Sequence, residues 1–360
     1  MSQPDNATAS PVANFADVDR RPILLIPYMW IGDFVRCHTA VRVLNARFPH
    51  RPVDILTTTR TVPLIDYMPG VRKGILSDLP RGKLALAKQQ ELAGRLRAEK
   101  YGSAVVMPRT WKSALAPFLA GIPERTGFLG EWRFVLLNDV RRGERKLDRM
   151  VDQKVVLSLA NDAPLPASYP PPQLVVPAAE IAAWRARHRL VEASAVALCP
   201  ATVGPGRRWP IAHFGELARR LAADGAAIWV LGSPDDRPLA AEIAQAAGPS
   251  VRDLTGPDLR EAILALAAAD AAVANDSGLL HVAAALGRPA IGIFGPTRPS
   301  LTGPLNALAA AIEPNVAVCP TCGRRDCTRL DHRRTDDIPV EPVLAAVRAT
   351  LDRAGTVAAR

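Results

Sequence analysis

The chain has 360 residues, 48% of them hydrophobic, which is enough for two domains of ordinary size, and it holds no apolar run of membrane-spanning length. Only seven of its 45 basic residues are lysine; the formal charge of +10 reflects either a general bias toward arginine and alanine or a surface that meets anions. Aromatics at 5%, with no basic stripe between them, argue against nucleic acid as a partner, and five irregularly spaced cysteines argue against a disulfide framework and for a reducing cytosol.

Residues 1–20 are polar or small, carry three acids and one arginine, and lack the basic start and apolar stretch of an export signal, so they read as a loose leader. From Pro22 the chain alternates strand and helix patterns. Strands are expected at Ile23 to Pro27, Val53 to Leu56, Gly74 to Leu76 and Ala104 to Met107. Helices are expected at Phe34 to Phe48, Leu84 to Glu99, Trp111 to Leu119 and Leu147 to Leu159. Such alternation predicts a parallel sheet covered on both faces. Six prolines between Asp162 and Pro177 then mark a semi-rigid linker. Beyond it strands recur at Val196 to Cys199, Ala227 to Leu231, Val251 to Leu254, Ala271 to Ala274 and Ala290 to Phe294, with helices starting near Ile211, Pro238, Leu259 and Ser277. A last helix covers Glu341 to Arg353. The expected organisation is α/β: a Rossmann-like domain over 21–161, a linker over 162–177, a second Rossmann-like domain over 178–340 and a closing segment over 341–360. A doubly wound pair of this kind holds its ligand in the crevice between domains.

Residues 275 to 295 are the most informative run. A buried strand is followed by Asn275-Asp276-Ser277-Gly278, then a helix with His281 one turn inside, then a second strand ending in Gly-Pro-Thr. A helix start of this kind offers unpaired N–H groups and a dipole to an anion, with Asp276 as its N-cap, although a generic βαβ unit would also use Asp-Ser-Gly for capping. The loop before the first helix, Pro27 to Asp33, lacks Gly-x-Gly-x-x-Gly, which argues against a nicotinamide or flavin dinucleotide. Asp33 is its one carboxylate and serves either as a cap or as a general base. The loop Cys199 to Pro210 sets a glycine-flanked turn before Arg207 and Arg208, whose forked donors suit phosphate, with Trp209 as a packing anchor.

These residues resemble bacterial family 9 glycosyltransferases, the lipopolysaccharide heptosyltransferases, and within them the heptosyltransferase II branch. The likeness is carried in order by Gly32-Asp33 with Arg42 to Pro49, Pro108 to Phe128, Arg207 to Pro210, Asp253 to Gly256 and Asn275 to Pro296. It implies a GT-B fold, two Rossmann-like domains facing a cleft with the donor on the second. It also implies inverting, metal-independent transfer from an ADP-activated heptose to the lipid A–Kdo inner core. By this resemblance Asp33 falls on the base, Arg207, Asp276, Ser277, Gly278 and His281 fall on the donor site, and Lys112 falls on the acceptor side. Thr202 and Arg208 are expected beside the donor as well, and Arg109 beside the acceptor. Cys37-His38-Thr39-Ala40 replaces the family's frequent Thr-Thr-Pro run, Tyr28-Met29-Trp30 is bulkier than usual, and Arg207 stands where lysine is common. A monomer, held at the cytoplasmic side of the inner membrane by its charge near Arg109, Lys112 and Arg125, is the expected form. The competing readings are another nucleotide-sugar enzyme of this architecture, an epimerase included, or a non-catalytic nucleotide-sugar-binding protein. Finally, Cys319-x2-Cys322-x4-Cys327-x4-His332 sets four possible ligands within fourteen residues, which suits either a structural zinc or free thiols.

Overall fold

The computed structural model describes residues 19–80, 83–191, 194–204, 206–315, 319, 322, 332 and 334–358. Its first half runs β1 (Ile23–Ile26), α1 (Ile31–Arg47), β2 (Val53–Thr57), α2 (Val62–Ile65), β3 (Val71–Leu76), α3 (Leu86–Ala98), β4 (Ser103–Val106), α4 (Trp111–Leu119), β5 (Glu124–Phe128), β6 (Asp139–Arg141) and α5 (Met150–Val156). The second runs α6 (Ala178–Arg187), β7 (Ala195–Cys199), α7 (Ile211–Ala223), β8 (Ala227–Val230), α8 (Arg237–Ala247), β9 (Val251–Asp253), α9 (Leu259–Ala268), β10 (Ala271–Asn275), α10 (Gly278–Ala285), β11 (Ala290–Ile293), α11 (Pro299–Thr302), β12 (Ala309–Ile312) and α12 (Val340–Ala358).

Two six-stranded sheets result, ordered β3-β2-β1-β4-β5-β6 and β12-β11-β10-β7-β8-β9, and every pairing is parallel. Each is the same doubly wound order, and the direction in which successive strands are added reverses between β1 and β4 in one and between β7 and β10 in the other. Ligands of such sheets sit outside the strand carboxyl ends at these reversals. The loops that leave β1, β7 and β10 are therefore the ones placed for chemistry. Residues in β1, β2, β4, β7, β8, β10 and β11 are buried throughout, as helices on both faces require, whereas β3, β9 and β12 lie at sheet edges and are partly exposed.

Several elements extend the expected alternation. Strand β5, Glu-Arg-Thr-Gly-Phe, is too polar to read as a buried strand, and Arg125 N–H donating to Asn138 Oδ1 at 2.8 Å helps to place it beside β6. Strand β12 reads Ala-Ala-Ala-Ile, a composition that favours helix by propensity and is extended only because β11 offers its edge. Helices α2 and α6 are short, and each follows or contains a proline at its start, while β6 has three residues. Helix α6 buries Trp184 against Trp229 of β8, with indole Nε1 donating to Glu261 at 2.7 Å.

The segment between α5 and α6 forms no helix or strand and is tied to both halves. Arg42 donates to Pro171 O at 2.8 Å, Gln173 N to His38 Nδ1 at 3.0 Å and Val175 N to Tyr67 O at 2.8 Å, while Leu174 N donates to Ala285 O at 2.8 Å. Arg260 of α9 reaches the first half through Asp66 and the Tyr67 hydroxyl. Among the described residues, no helix is long and apolar enough to cross a membrane.

Candidate active site

Asp33 occupies the first turn of α1, whose N-cap position is Trp30 and carries no side-chain cap. Its carboxylate instead accepts from Nη2 of Arg36 at 2.9 Å and from Nζ of Lys154 at 3.4 Å. Arg36 follows from local spacing, since residues three apart share a helix face. Lys154 comes from α5, where Val151, Lys154 and Val155 fall on one buried stripe, and its side chain is only 2% exposed. A lysine at an apolar stripe position was the signal that sequence reasoning passed over, because a lysine in a short helix ordinarily reads as its solvated face.

Burial would push the Asp33 carboxyl upward. The charges of Lys154 and Arg36 and their hydrogen bonds outweigh it, holding the carboxyl below the usual aspartate value of 3.8. Lys154 is drawn below the usual lysine value of 10.5 by burial, against the pull of Asp33. Asp33 thus stays ionised throughout the neutral range. Its stabilising contribution is present above its unfolded pKa and is lost as pH falls through its lower folded one.

Arg36 also links the two halves. Its Nη1 lies 3.3 Å from His281 Nε2, on α10, and donates to Thr302 O, on α11, at 3.0 Å. A guanidinium only donates, so Nε2 is the acceptor. Burial and then the neighbouring Arg36 charge push His281 well below its usual value of 6.5, so the ring is neutral and carries its proton on Nδ1. His281 therefore faces α1 and Arg36, the partner of Asp33.

Two glycines allow this approach. A Cβ on Gly32 would come 2.7 Å from His281 Cδ2, and one on Gly278 would come 2.7 Å from Ile31 Cβ. Gly32-Asp33 and Ser277-Gly278 thus share one cause: the starts of α1 and α10 meet with no room for a methyl group. Gly278→Ala is expected to wedge the helices apart, at the roughly 1–3 kcal/mol typical of overpacking. Calorimetry should find Tm lowered by a few degrees and steady-state kinetics a reduced kcat. An unchanged Tm and kcat would mean that the two helix ends pack loosely.

The donor-side residues gather where β7 and β10 end. Asn275 accepts from Trp209 N at 3.0 Å and donates through Nδ2 to Pro200 O at 2.6 Å, which sews the loop after β7 to the end of β10. Thr202 Oγ1 donates to Asp276 O at 3.1 Å, and Arg207 Nη2 donates to the Asp276 carboxylate, with Nη1 on Val203 O at 3.3 Å. Asp276 is therefore not the N-cap of α10. Ser277 holds that position in extended geometry, without a side-chain cap, and the carboxylate of Asp276 is turned to Arg207. Trp209 is fully buried, its indole N–H donating to Ile338 O at 2.8 Å, and so acts as the packing anchor of the loop. Arg208 is exposed, and its carbonyl accepts from Thr335 Oγ1 at 2.6 Å.

On the first-half side, Arg109 pairs with Glu144 at 3.0 Å. Glu144 joins Tyr28, Met107, Phe128, Gln153, Lys154 and Leu157 in lining a small cavity next to the Lys154 ammonium. Lys112 lies in the first turn of α4, its carbonyl accepting from Gln89 Nε2 at 3.2 Å. Arg125 is turned inward onto the carbonyls of Leu136 and Ile122, so it is not a free surface charge. Away from this site, ligand atoms of Cys319, Cys322 and His332 lie within 4.8 Å of one another, and Cys327 is outside the described residues.

Two facing doubly wound sheets, with an aspartate–lysine–arginine cluster at one reversal and an arginine loop beside a glycine helix start at the other, give the GT-B architecture. Residues 90–329 match the profile of glycosyltransferase family 9 (heptosyltransferase), and the chain belongs to that family. It is 36% identical over 344 residues to lipopolysaccharide heptosyltransferase 2 of Escherichia coli, covering 91% of this chain and 98% of that one. It is 37% identical over 304 residues to lipooligosaccharide heptosyltransferase 2 of Haemophilus influenzae, covering 81% and 88%. The solved structure of E. coli ADP-heptose lps heptosyltransferase II superposes with a TM-score of 0.81 at 33% identity, over 93% of this chain and 99% of that one.

Proposed function

We propose that the protein is an inverting, metal-independent heptosyltransferase that moves heptose from ADP-heptose to the lipid A–Kdo inner core of lipopolysaccharide. The observation that carries this reading is the ionised Asp33 beside the start of α10, opposite the loop of Arg207. The donor is supported by a relative of the same architecture, matched over 99% of its chain, that is named for ADP-heptose.

In the proposed reaction an acceptor hydroxyl attacks the anomeric carbon from the face opposite the diphosphate. Asp33 takes its proton, the sugar–oxygen bond to the diphosphate breaks, and ADP leaves with the electron pair. Because Asp33 is a weak base, proton transfer comes late, as the attacking oxygen gains positive charge. Arg207, Arg208 and the uncapped N–H groups at Ser277 and Gly278 stabilise the leaving diphosphate, with Thr202 and Asp276 holding the loop and His281 the helix contact. Arg109 and Lys112 would meet the acid groups of the acceptor. Closure around the substrates excludes water, with the proline-rich stretch 162–177 as hinge outside its pinned residues. The protein would act as a monomer on the cytoplasmic face of the inner membrane. A zinc at Cys319, Cys322, Cys327 and His332 would be structural, and metal analysis of the purified protein tests it.

Lys154→Met removes one of the two cations that hold Asp33 low. Its carboxyl should rise, and the acid limb of the kcat/KM profile should move to higher pH, because the base becomes protonated sooner. An unmoved limb would place the controlling group elsewhere.

Incubating ADP-heptose with and without extracted core lipid tests the whole reading. Release of ADP with a heavier lipid, in the presence of both substrates only, is the expected result. Alteration of donor alone would make the protein an epimerase, and binding without turnover a nucleotide-sugar-binding protein.

A further inference from the structure

The loop between β5 and β6 is built in an unusual way. Arg133, 1% exposed, lies beneath it and donates to the carbonyls of Phe128, Pro108 and Thr110 and to Ser113 Oγ. Above it Trp132 is 87% exposed, Val135 73% and Phe134 51%, with Trp132 and Phe134 packed edge to face at 5.8 Å between ring centroids. Glu131 and Trp132 have φ of 38° and 54°, a left-handed backbone that non-glycine residues rarely adopt. Glu131 accepts from Trp111 N at 3.0 Å, fixing the loop to the start of α4. A buried guanidinium and two strained residues thus hold three large apolar side chains in water. Neither solubility nor core packing accounts for that, and strain of this sort accompanies function.

The surroundings are basic. Leu129 N donates to Arg141 O at 3.0 Å, which places the loop beside the turn that follows β6, and Arg142, Arg145 and Lys146 of that turn are all exposed. Aromatic side chains next to arginine and lysine suit the boundary of an anionic bilayer, where rings enter the headgroup layer and cations meet phosphate.

We propose that the Trp132–Val135 loop is a membrane-docking finger, which enters an anionic lipid surface while Arg142, Arg145 and Lys146 meet its headgroups. The choice of a membrane follows from the lipid-linked acceptor proposed above, but docking needs neither donor nor turnover. The finger lies on the half that carries Arg109 and Lys112, so docking would turn the acceptor side toward the bilayer.

The test uses the full chain and vesicles of phosphatidylcholine with or without phosphatidylglycerol, free of lipopolysaccharide. The protein should sediment with the anionic vesicles, and vesicles with brominated acyl chains should quench part of its tryptophan fluorescence. Trp132→Phe should keep binding and lose that quenching. Phe134→Ser with Val135→Ser should weaken partitioning by roughly tenfold or more, with Tm unchanged, since the side chains removed are exposed. Equal partitioning of the double variant, or quenching that survives Trp132→Phe, would overturn the proposal. So would a dimer of the wild-type chain that the double variant breaks, because the finger would then be a protein contact. Core transfer measured in detergent should be unchanged in these variants, which separates failure of the finger from failure of the assigned reaction.

Discussion

Asp33→Asn is expected to lower turnover by roughly a hundredfold or more, the scale of losing a general base, while ADP binds with unchanged affinity. The structure adds a second consequence. Lys154 is buried with Asp33 as its charged partner, so the amide leaves a cation uncompensated. Breaking such a pair costs up to about 3–5 kcal/mol, part of which Lys154 can avoid by giving up its proton, since burial already draws it below the usual lysine value. Lost activity in the single variant could therefore reflect a softened fold. Asp33→Asn combined with Lys154→Met resolves this by removing both charges. Denaturant unfolding should recover most of the lost stability in the double variant, while single-turnover transfer stays as slow as with Asp33→Asn alone. Activity that returns with stability would make Asp33 a structural anion rather than the base.

Arg207→Ala should impair binding and chemistry together. One guanidinium would hold the bound diphosphate and then the departing one, and removal of a donor to developing charge costs about a hundred- to thousandfold in kcat. Titration calorimetry should find ADP affinity lower by roughly tenfold or more, the usual loss of a charge-assisted hydrogen bond. Here too a partner complicates the single variant, because Arg207 is paired with the buried Asp276 carboxylate. Repeating the substitution in an Asp276→Asn background removes that pairing from the comparison. The same loss of affinity in both backgrounds means that Arg207 touches the nucleotide. A loss that disappears in the Asp276→Asn background means that it only braces the loop.

The alternation of buried strands with amphipathic helices was legible because parallel strands covered on both faces are apolar from end to end, as in β1, β7 and β10. Strands β5 and β12 escaped because position in the sheet, rather than composition, makes them extended. The reading of Asp33 as a single carboxylate at a helix start was incomplete for a related reason. Its main electrostatic partner lies 121 residues away on α5, and no spacing rule connects the two. Asp276 shows the opposite case. Capping chemistry pointed to a local role, but a loop from the neighbouring β7 supplied a guanidinium, and the stronger charge-assisted bond prevailed. The glycines at 32 and 278 were read as loop and anion-site features, yet both also stand where two helices touch, a constraint visible only once the two halves face each other.

The central claim is that the donor diphosphate lies between Arg207 and the start of α10, within reach of the carboxylate of Asp33 through the sugar. A crystal structure with ADP bound tests it most directly. The phosphates should lie within hydrogen-bonding distance of Arg207 and of the backbone N–H groups that open α10, with the Asp33 carboxylate facing the vacant sugar position beyond the terminal phosphate. ADP held elsewhere, or with its phosphates turned away from Asp33, would contradict it.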